Sequence, residues 1–161
     1  MDTQSPRLRP VRDADRAFLL ALYAETREDL AALPLPPAVL TQMLEMQFDA
    51  QGQSYARAFP GHDWDIILHQ DRPVGQIRVL RGTDEIRTID LSLLIDFRGQ
   101  GIGRVLLRNL QQEARTADLP LRLSVEHGNA RARVLYDRLG FVPVDDLGAH
   151  LEMRWTPQTG P

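Results

Sequence analysis

Three glycines fall within five residues, between an apolar strand-like run and an amphipathic helical pattern, and this transition constrains the chain more than any other feature. The segment reads Arg98-Gly99-Gln100-Gly101-Ile102-Gly103-Arg104. Glycine permits the tight turn and the close backbone approach that such a loop needs. The first amides of the following helix have no intrahelical partner and lie at the positive end of the helix dipole. The pattern therefore predicts a loop that binds an anion such as a phosphate.

Two common phosphate-binding motifs do not fit this segment, residues 98–104, which we call the glycine loop. The dinucleotide fingerprint Gly-x-Gly-x-x-Gly fails because Arg104 or Leu106 stands where the third glycine belongs. Walker A requires a lysine, and every basic residue of this chain is arginine. The pattern that remains, Arg-x-x-Gly-x-Gly, resembles the pyrophosphate loop of the GNAT superfamily of N-acetyltransferases, which bind acetyl-coenzyme A.

A second segment, residues 129–141, resembles another signature of the same superfamily. The matching residues are Asn129, Ala132, Leu135, Tyr136, Leu139, Gly140 and Phe141. The two signatures stand in the family's order, about 25 residues apart, which chance rarely produces. The chain is therefore similar to the GNAT family over residues 88–141, and the resemblance elsewhere is only architectural.

The resemblance implies a site for acetyl-coenzyme A on two stretches of chain. The backbone of Ser92 and Leu93 would pair with the pantetheine arm and polarise the thioester carbonyl. The family usually has a valine where Leu93 stands and a proline where Ile95 stands, and backbone contacts should tolerate both differences. The glycine-loop amides, with Arg98 or Arg104, would bind the pyrophosphate. The expected cofactor-binding residues are Ser92, Leu93, Arg98, Gly99, Gln100, Gly101, Ile102, Gly103, Arg104 and Asn129.

Tyr136 is the catalytic residue that the resemblance indicates first. It matches the family's tyrosine, whose hydroxyl protonates the departing coenzyme A sulfur, and an unperturbed tyrosine pKa of about 10 keeps it a donor at neutral pH. Periodicity alone would make Tyr136 a half-buried helix aromatic with its hydroxyl on water. Asn129 equally suits the N-cap of the same helix, and the two roles are compatible.

A base is also required, because an ammonium acceptor has no lone pair with which to attack. Glu85, at the start of the strand that leads to the glycine loop, lies where many family members keep such a base. Its alternative is an exposed charge at a strand entrance. Asp90 and Glu126 are rivals, since a carboxylate in an apolar strand needs a partner or a role, and a water chain would also serve.

The amino-acid composition limits the number of domains and the metals, partners and locations that we expect for this chain. The length of 161 residues, with 43% apolar and 25% charged residues, indicates a single domain over residues 1–161 with a loose tail at 155–161. Without cysteine the chain has no disulfide, thiolate metal site or cysteine acyl carrier, and its four histidines lack metal-ligand spacing, so we expect no metal. A net charge of -3 argues against a nucleic-acid partner. We expect no membrane partner and a cytoplasmic location, because residues 1–10 are polar and no apolar run spans a bilayer.

Hydrophobic periodicity predicts an α/β protein. Asp13 would cap a helix that ends near residue 27, and a second helix from residue 40 would be interrupted or ended by residues 51–54. Further helices are expected over residues 104–117 and 129–139. The expected strands are residues 7–12, 64–69, 75–79, 85–94, 121–126, 142–144 and 150–155. This order matches the GNAT fold, a mixed, mostly antiparallel sheet of six to seven strands flanked by about four helices.

The sequence thus predicts an N-acetyltransferase that moves acetyl from acetyl-coenzyme A to a primary amine of a small molecule or peptide, by direct attack in a ternary complex. The alternatives are a non-catalytic acyl-coenzyme A sensor and a toxin-type acetyltransferase acting on aminoacyl-tRNA. In this fold, residues 25–60 and 145–149 choose the acceptor, and they carry no diagnostic pattern here. Family habit suggests a homodimer.

Overall fold

The computed structural model describes residues 4–160. Within this range the helices are α1 (Arg16–Glu25), α2 (Glu28–Ala31), α3 (Pro37–Ala58), α4 (Ile102–Ala117) and α5 (Ala130–Arg138). The strands are β1 (Arg7–Pro10), β2 (Asp63–His69), β3 (Arg72–Arg81), β4 (Ile86–Leu93), β5 (Leu121–Glu126), β6 (Val142–Asp146) and β7 (His150–Trp155). Short 3-10 turns lie at Asp13–Asp15 and Ile95–Phe97.

The strands form one mixed sheet in the order β1-β2-β3-β4-β5-β7-β6. β4 and β5 run parallel, whereas β1–β2, β5–β7 and β6–β7 pair antiparallel. The predicted α/β fold with a mixed sheet is confirmed, and the described chain has five α-helices where about four were expected. The short α2 was not predicted, because four residues are too few to show a helical period.

The described chain divides into two compact units. The first comprises residues 4–78 and 90–100, and the second residues 79–89 and 101–160. β3 and β4 each contribute residues to both units. The single domain over residues 1–161 stays a prediction.

The core of the first unit comes from α1 and from β2 and β3. The fully buried apolar side chains there include Leu19, Leu22, Ile66, Ile67, Val74 and Ile77. β2 and β3 are joined by a two-residue turn, Gln70 and Asp71, with positive φ at both residues, the geometry that closes the tightest hairpins. The turn was expected one residue later, at residues 71–73.

α3 is longer than the sequence suggested. The expected interruption at residues 51–54 is wrong, and the helix continues to Ala58. A glycine inside a helix costs only about 1 kcal/mol relative to alanine. Contacts made by later residues of α3 offset this cost, among them the contact of the Tyr55 ring with the Arg78 guanidinium. α3 is the longest helix, and among the described residues no helix is both long and apolar enough to cross a bilayer.

The start of α1 also differs from the prediction. Asp13 does not cap the helix; it opens a 3-10 turn that precedes α1. Asp15 instead accepts hydrogen bonds from the Arg12 amide and from both terminal nitrogens of Arg9, all at 2.8 Å. The two-pronged bond with the Arg9 guanidinium, together with the Arg12 amide, holds Asp15 rather than Asp13 at this entrance.

In the second unit, α4 and the sheet share an apolar core. The predicted stripe of Leu106, Leu107, Leu110 and Ala114 is buried. β5 and β7 place Leu123 opposite Met153 and Val125 opposite Leu151, and all four side chains are buried.

The C-terminal tail begins slightly later than predicted. Trp155 still belongs to β7, and residues 156–160 have no regular structure. Residue 161 of the predicted tail, like residues 1–3 of the polar start, lies outside the described part of the chain.

Candidate functional site

The glycine loop makes two left-handed turns and then opens α4. Gly99 has φ 73° and Gly101 has φ 87°, a region that residues with a Cβ rarely adopt. The first helical bond runs from the Val105 amide to the Gly101 carbonyl at 3.0 Å, so the amides of residues 102–104 precede it. No atom outside the adjoining residues lies within 4 Å of the position of a Cβ on Gly101. The loop therefore combines unpaired amides with open space, as an anion site requires.

The charge of the first turn of α4 also favours the binding of an anion. No acidic side chain lies there, and Arg104 is exposed. Ile102 is buried, so this predicted binding residue has only its backbone amide to offer a ligand. These residues fit the pyrophosphate that the sequence predicted.

Side-chain hydrogen bonds hold the first half of the loop, residues 98–100. Arg98 Nε donates to the Leu93 carbonyl at 2.9 Å, which ties the loop to the end of β4. Gln100 Nε2 donates to the Asp96 carbonyl at 2.8 Å. Both predicted binding residues thus hold the loop's shape, and Arg98 uses one donor of its guanidinium to do so.

The end of β4 lies against Gly75 of β3, a close contact that the sequence analysis did not predict. A Cβ on Gly75 of β3 would lie 2.3 Å from the Ser92 carbonyl oxygen and 2.8 Å from Leu93 Cδ2, so no larger residue fits without moving the backbone. The Leu94 amide donates to the Val74 carbonyl at 2.8 Å just beyond. A lone glycine inside a strand pattern is the signal that could have revealed this close approach.

Four side chains of β2, β3 and β4 form a hydrogen-bonded group that we call the polar cluster: Trp64, Gln76, Asp90 and Ser92. Trp64 Nε1 donates to Gln76 Oε1 at 2.9 Å. Gln76 Nε2 donates to Asp90 Oδ2 at 3.0 Å and to Ser92 Oγ at 2.9 Å. Because the indole N–H can only donate, the orientation of the Gln76 amide is fixed, and its NH₂ group must face the carboxylate.

Asp90 is the perturbed carboxyl group of this cluster. Burial raises its pKa, against the opposing effects of the Gln76 hydrogen bond and the positive charge of Arg78. Protein atoms surround Asp90 densely, yet the residue keeps part of its surface accessible. A carboxylate with a raised pKa and partial access is a candidate proton acceptor.

Arg78 lies beside the polar cluster and is 5% exposed. Its guanidinium carbon lies 3.6 Å from the ring centroid of Trp64 and 5.0 Å from that of Tyr55. His62 Nδ1 lies 2.8 Å from the Phe59 carbonyl and therefore donates, which leaves Nε2 to accept from Arg78 Nη1 at 2.9 Å. His62 is thus neutral and in one tautomer. Burial lowers the pKa of Arg78.

In the second unit, the second signature segment forms α5 and its cap. Asn129 Oδ1 accepts from the Ala132 amide at 3.1 Å, so the N-cap alternative for Asn129 is confirmed. Tyr136 lies on α5, half-buried, with its ring centroid 5.9 Å from that of Phe141. Its role as a proton donor stays a prediction.

Glu85 and Glu126, the other carboxylates considered as bases, lie in different surroundings. Glu85 Oε2 is 3.5 Å from Arg122 Nε, an ion-pair distance, just before β4 begins. Arg122 also lies 3.8 Å from Glu152, so Glu85 belongs to a group of opposite charges. Glu126 is 74% exposed and faces only His150, at 3.9 Å. Neither carboxyl group has the surroundings of Asp90.

Sequence reasoning therefore named two members of the polar cluster. It named Asp90 as a rival base and Ser92 for its backbone, but it missed Trp64, Gln76 and Arg78. The sequence pattern that could have drawn attention to Gln76 and Arg78 is their alternation with apolar residues in β3. The structure buries both polar side chains. Among residues 4–160, no three His, Asp or Glu side chains come together where a metal ion could be held.

Comparison with known proteins adds the family context. The model of the acetyltransferase (GNAT) family matches residues 20–141, which include the glycine loop and α5. No curated protein matches the chain significantly.

Solved structures show the same fold at low sequence identity. PaiA N-acetyltransferase from Thermoplasma acidophilum, in complex with coenzyme A, has a TM-score of 0.69 at 15% identity, covering 95% of this chain and 99% of that one. An acetyltransferase from Thermus thermophilus has a TM-score of 0.68 at 19% identity, over 97% and 99%. The ribosomal-protein-S18-alanine N-acetyltransferase from Escherichia coli has 0.65 at 17%, over 96% of each chain.

Proposed function

Since this chain belongs to the acetyltransferase (GNAT) family, we propose that it transfers acetyl from acetyl-coenzyme A to the primary amine of a small molecule or peptide, by direct attack within a ternary complex. The chain is an acyltransferase that uses acetyl-coenzyme A. The acceptor and the mechanism are the proposed parts. A cytoplasmic location and a homodimer stay predictions.

The glycine loop would hold the pyrophosphate of the thioester substrate. The amides of residues 102–104 and the positive end of α4 attract its charge, and the left-handed Gly101 leaves open space beside them. Arg104 would add a mobile positive charge. At the end of β4, the backbone of Ser92 and Leu93 would align the pantetheine arm, as the family resemblance implies.

Asp90 is the group that we propose accepts the proton of the acceptor's ammonium. Burial raises its pKa, which makes its carboxylate a stronger proton acceptor than that of an ordinary aspartate. The Glu85 carboxylate already has a partner of opposite charge, because its Oε2 lies 3.5 Å from Arg122 Nε. Of the three carboxylates that the sequence offered as the base, Glu85, Asp90 and Glu126, we therefore propose Asp90.

The remaining steps conserve atoms and charge. The neutral amine forms a C–N bond with the thioester carbonyl carbon while the carbonyl electrons move onto oxygen. When the carbonyl re-forms, the C–S bond breaks, and its electron pair leaves on the coenzyme A sulfur. The Tyr136 hydroxyl gives that thiolate a proton, and the amide product loses its second amine proton to solvent.

The observation that carries the proposal is the glycine loop, with two left-handed glycines directly before the N-terminus of α4. The test is thiol release from acetyl-coenzyme A with amino acids, polyamines, aminoglycosides and short peptides, with thermal stabilisation by acetyl-coenzyme A as the binding measurement. The absence of cysteine gives the thiol assay a clean background. Release with one acceptor class supports the proposal; stabilisation without release from any acceptor contradicts the transferase and favours a sensor.

A further inference from the structure

Arg78 differs from three other arginines of the first unit, which pair with carboxylates. Arg9 bonds Asp15, Arg16 bonds Asp49 and Arg27 bonds Asp29, each through a two-pronged contact with a carboxylate. The atom pairs involved all lie between 2.8 and 3.1 Å. Arg78 is the most buried of the four, and its contacts among the described residues are with neutral His62 and two aromatic faces.

The carboxylate whose negative charge acts on Arg78 does not bond it. Asp90 acts on the guanidinium through its charge alone, and the hydrogen bond to the Asp90 carboxylate comes from Gln76. A buried charge is costly unless it is paired and hydrogen-bonded. Aromatic stacking on Trp64 and Tyr55 orients the guanidinium plane but supplies no anion. Arg78 is therefore preorganised for an anionic partner that residues 4–160 do not provide.

The position of Arg78 specifies where this partner would lie. Gln76 and Arg78 are two residues apart on β3, so their side chains share one face of the strand. Gln76 reaches Asp90 from that face. A cation site at Asp90 and an anion site at Arg78 are thus neighbours, within the same unit of the chain.

We propose that Arg78 binds the carboxylate of the acceptor, and that the acceptor is accordingly a free amino acid whose ammonium group faces Asp90. This inference rests on the proposed transferase function and names its substrate class. A carboxylate matches the planar guanidinium with two parallel hydrogen bonds. An amino acid brings one charge of each sign to a site with one charge of each sign, whereas a phosphate would place two negative charges beside Asp90.

Binding can be measured without turnover, because the chain has two tryptophans, Trp64 and Trp155. In a Trp155→Phe background, the emission of Trp64 reports directly on a ligand at Arg78. The probes are the twenty L-amino acids, titrated one by one into the full chain with coenzyme A present. The carboxamide of the tightest binder, which keeps the ammonium and removes the negative charge, is the matched control ligand.

The expected result is saturable quenching by one group of amino acids and at least tenfold weaker binding of the matched carboxamide. Arg78→Gln should abolish this preference and Arg78→Lys should restore part of it, while acetyl-coenzyme A stabilises both variants as it does the wild type. Equal binding of acid and carboxamide by the wild-type chain would overturn the inference, even if the Arg78 variants failed to fold.

The two proposals fail in different ways. If amino acids bind with a carboxylate preference but no thiol is released, the result supports the anion site at Arg78 and contradicts the transferase function. If thiol is released only with polyamines or other amines lacking a carboxylate, the result supports the transferase function and contradicts the binding of a carboxylate by Arg78.

Discussion

Gln76 on β3 donates its side-chain amide to the Asp90 carboxylate on β4 at 3.0 Å, and the Trp64 indole fixes which end of that amide faces the carboxylate. This contact has two effects on Asp90. It holds the carboxylate in one orientation, and it favours the ionised form, so it limits how far burial can raise the pKa. Gln76 is therefore a positioning residue for the proposed base.

Replacing Gln76 by leucine should move the pH dependence of the reaction. Without the amide donor the pKa of Asp90 rises further, so the ascending limb of kcat/KM against pH should shift to higher pH, with a lower kcat. The control is Ile77→Val, a buried neighbour on the opposite face of β3, which should cost about 1 kcal/mol of stability without moving the limb. An unshifted limb in Gln76→Leu would remove its positioning role.

Removing the Asp90 carboxylate should identify the base. Asp90→Asn keeps the shape and removes the proton acceptor, so kcat should fall about 10²- to 10⁴-fold, and the rise of rate with pH through the raised pKa should disappear. Glu85→Gln is the paired variant and should retain most of the turnover. The opposite ranking of the two variants in a steady-state assay would restore Glu85 as the base.

Tyr136→Phe should separate binding from turnover. The ring and its contact with Phe141 remain, so the affinity for acetyl-coenzyme A should stay nearly constant. Turnover should decrease because the leaving thiolate loses its proton donor. Calorimetric titration gives the affinity and thiol release gives the rate; wild-type turnover in this variant would rule out Tyr136 as the acid.

The glycine loop has a matched control elsewhere in the chain. Gly101 and Gly148 have φ 87° and 89°, and neither has an atom within 4 Å of its Cβ position. An arginine at either site should impose a similar backbone penalty, on the order of 1 to 2 kcal/mol. Only Gly101→Arg should also abolish the thermal stabilisation by acetyl-coenzyme A. Normal stabilisation of that variant would show that the loop does not bind the pyrophosphate.

Acid stability should depend on the Arg9–Asp15 pair. The hydrogen bonds from Arg9 lower the pKa of Asp15 to about 2, from an unfolded value near 3.8. A lowered carboxyl pKa stabilises the fold above the unfolded value, and this stabilisation is lost as the pH falls through about 2. Asp15→Asn should therefore lower the free energy of unfolding at pH 7 by about 2 kcal/mol, with a difference that shrinks in acid.

The comparison variant for that experiment is Asp49→Asn. Asp49 bonds Arg16 with similar geometry but is exposed, and solvent screening weakens exposed pairs. Denaturant titrations between pH 2 and 7 should separate the two variants. Equal effects of both substitutions would contradict the stabilising role of burial around Asp15.

Prediction from the sequence succeeded where signals were local. β5 and β7 end where the alternating pattern ended, and α4 buries the stripe that its period indicated. It failed where side-chain contacts made from outside a helix decide how that helix begins or continues. Asp13 has the residue type and position of a helix cap, but the bond between Arg9 and Asp15 fixes the start of α1. α3 continues through Gly52 because contacts of later residues sustain the helix.

By itself, the sequence determined the order of helices and strands, the glycine loop and the second signature on α5, because backbone preferences and hydrophobic period act between residues near in the chain. Only the tertiary structure brought Trp64, Gln76 and Asp90 into one hydrogen-bonded cluster and left Arg78 buried with no carboxylate of the described residues bonded to it. Strand pairing joins residues that are far apart in sequence. Burial, which sets the Asp90 pKa and makes an unpaired guanidinium costly, exists only once those strands have come together.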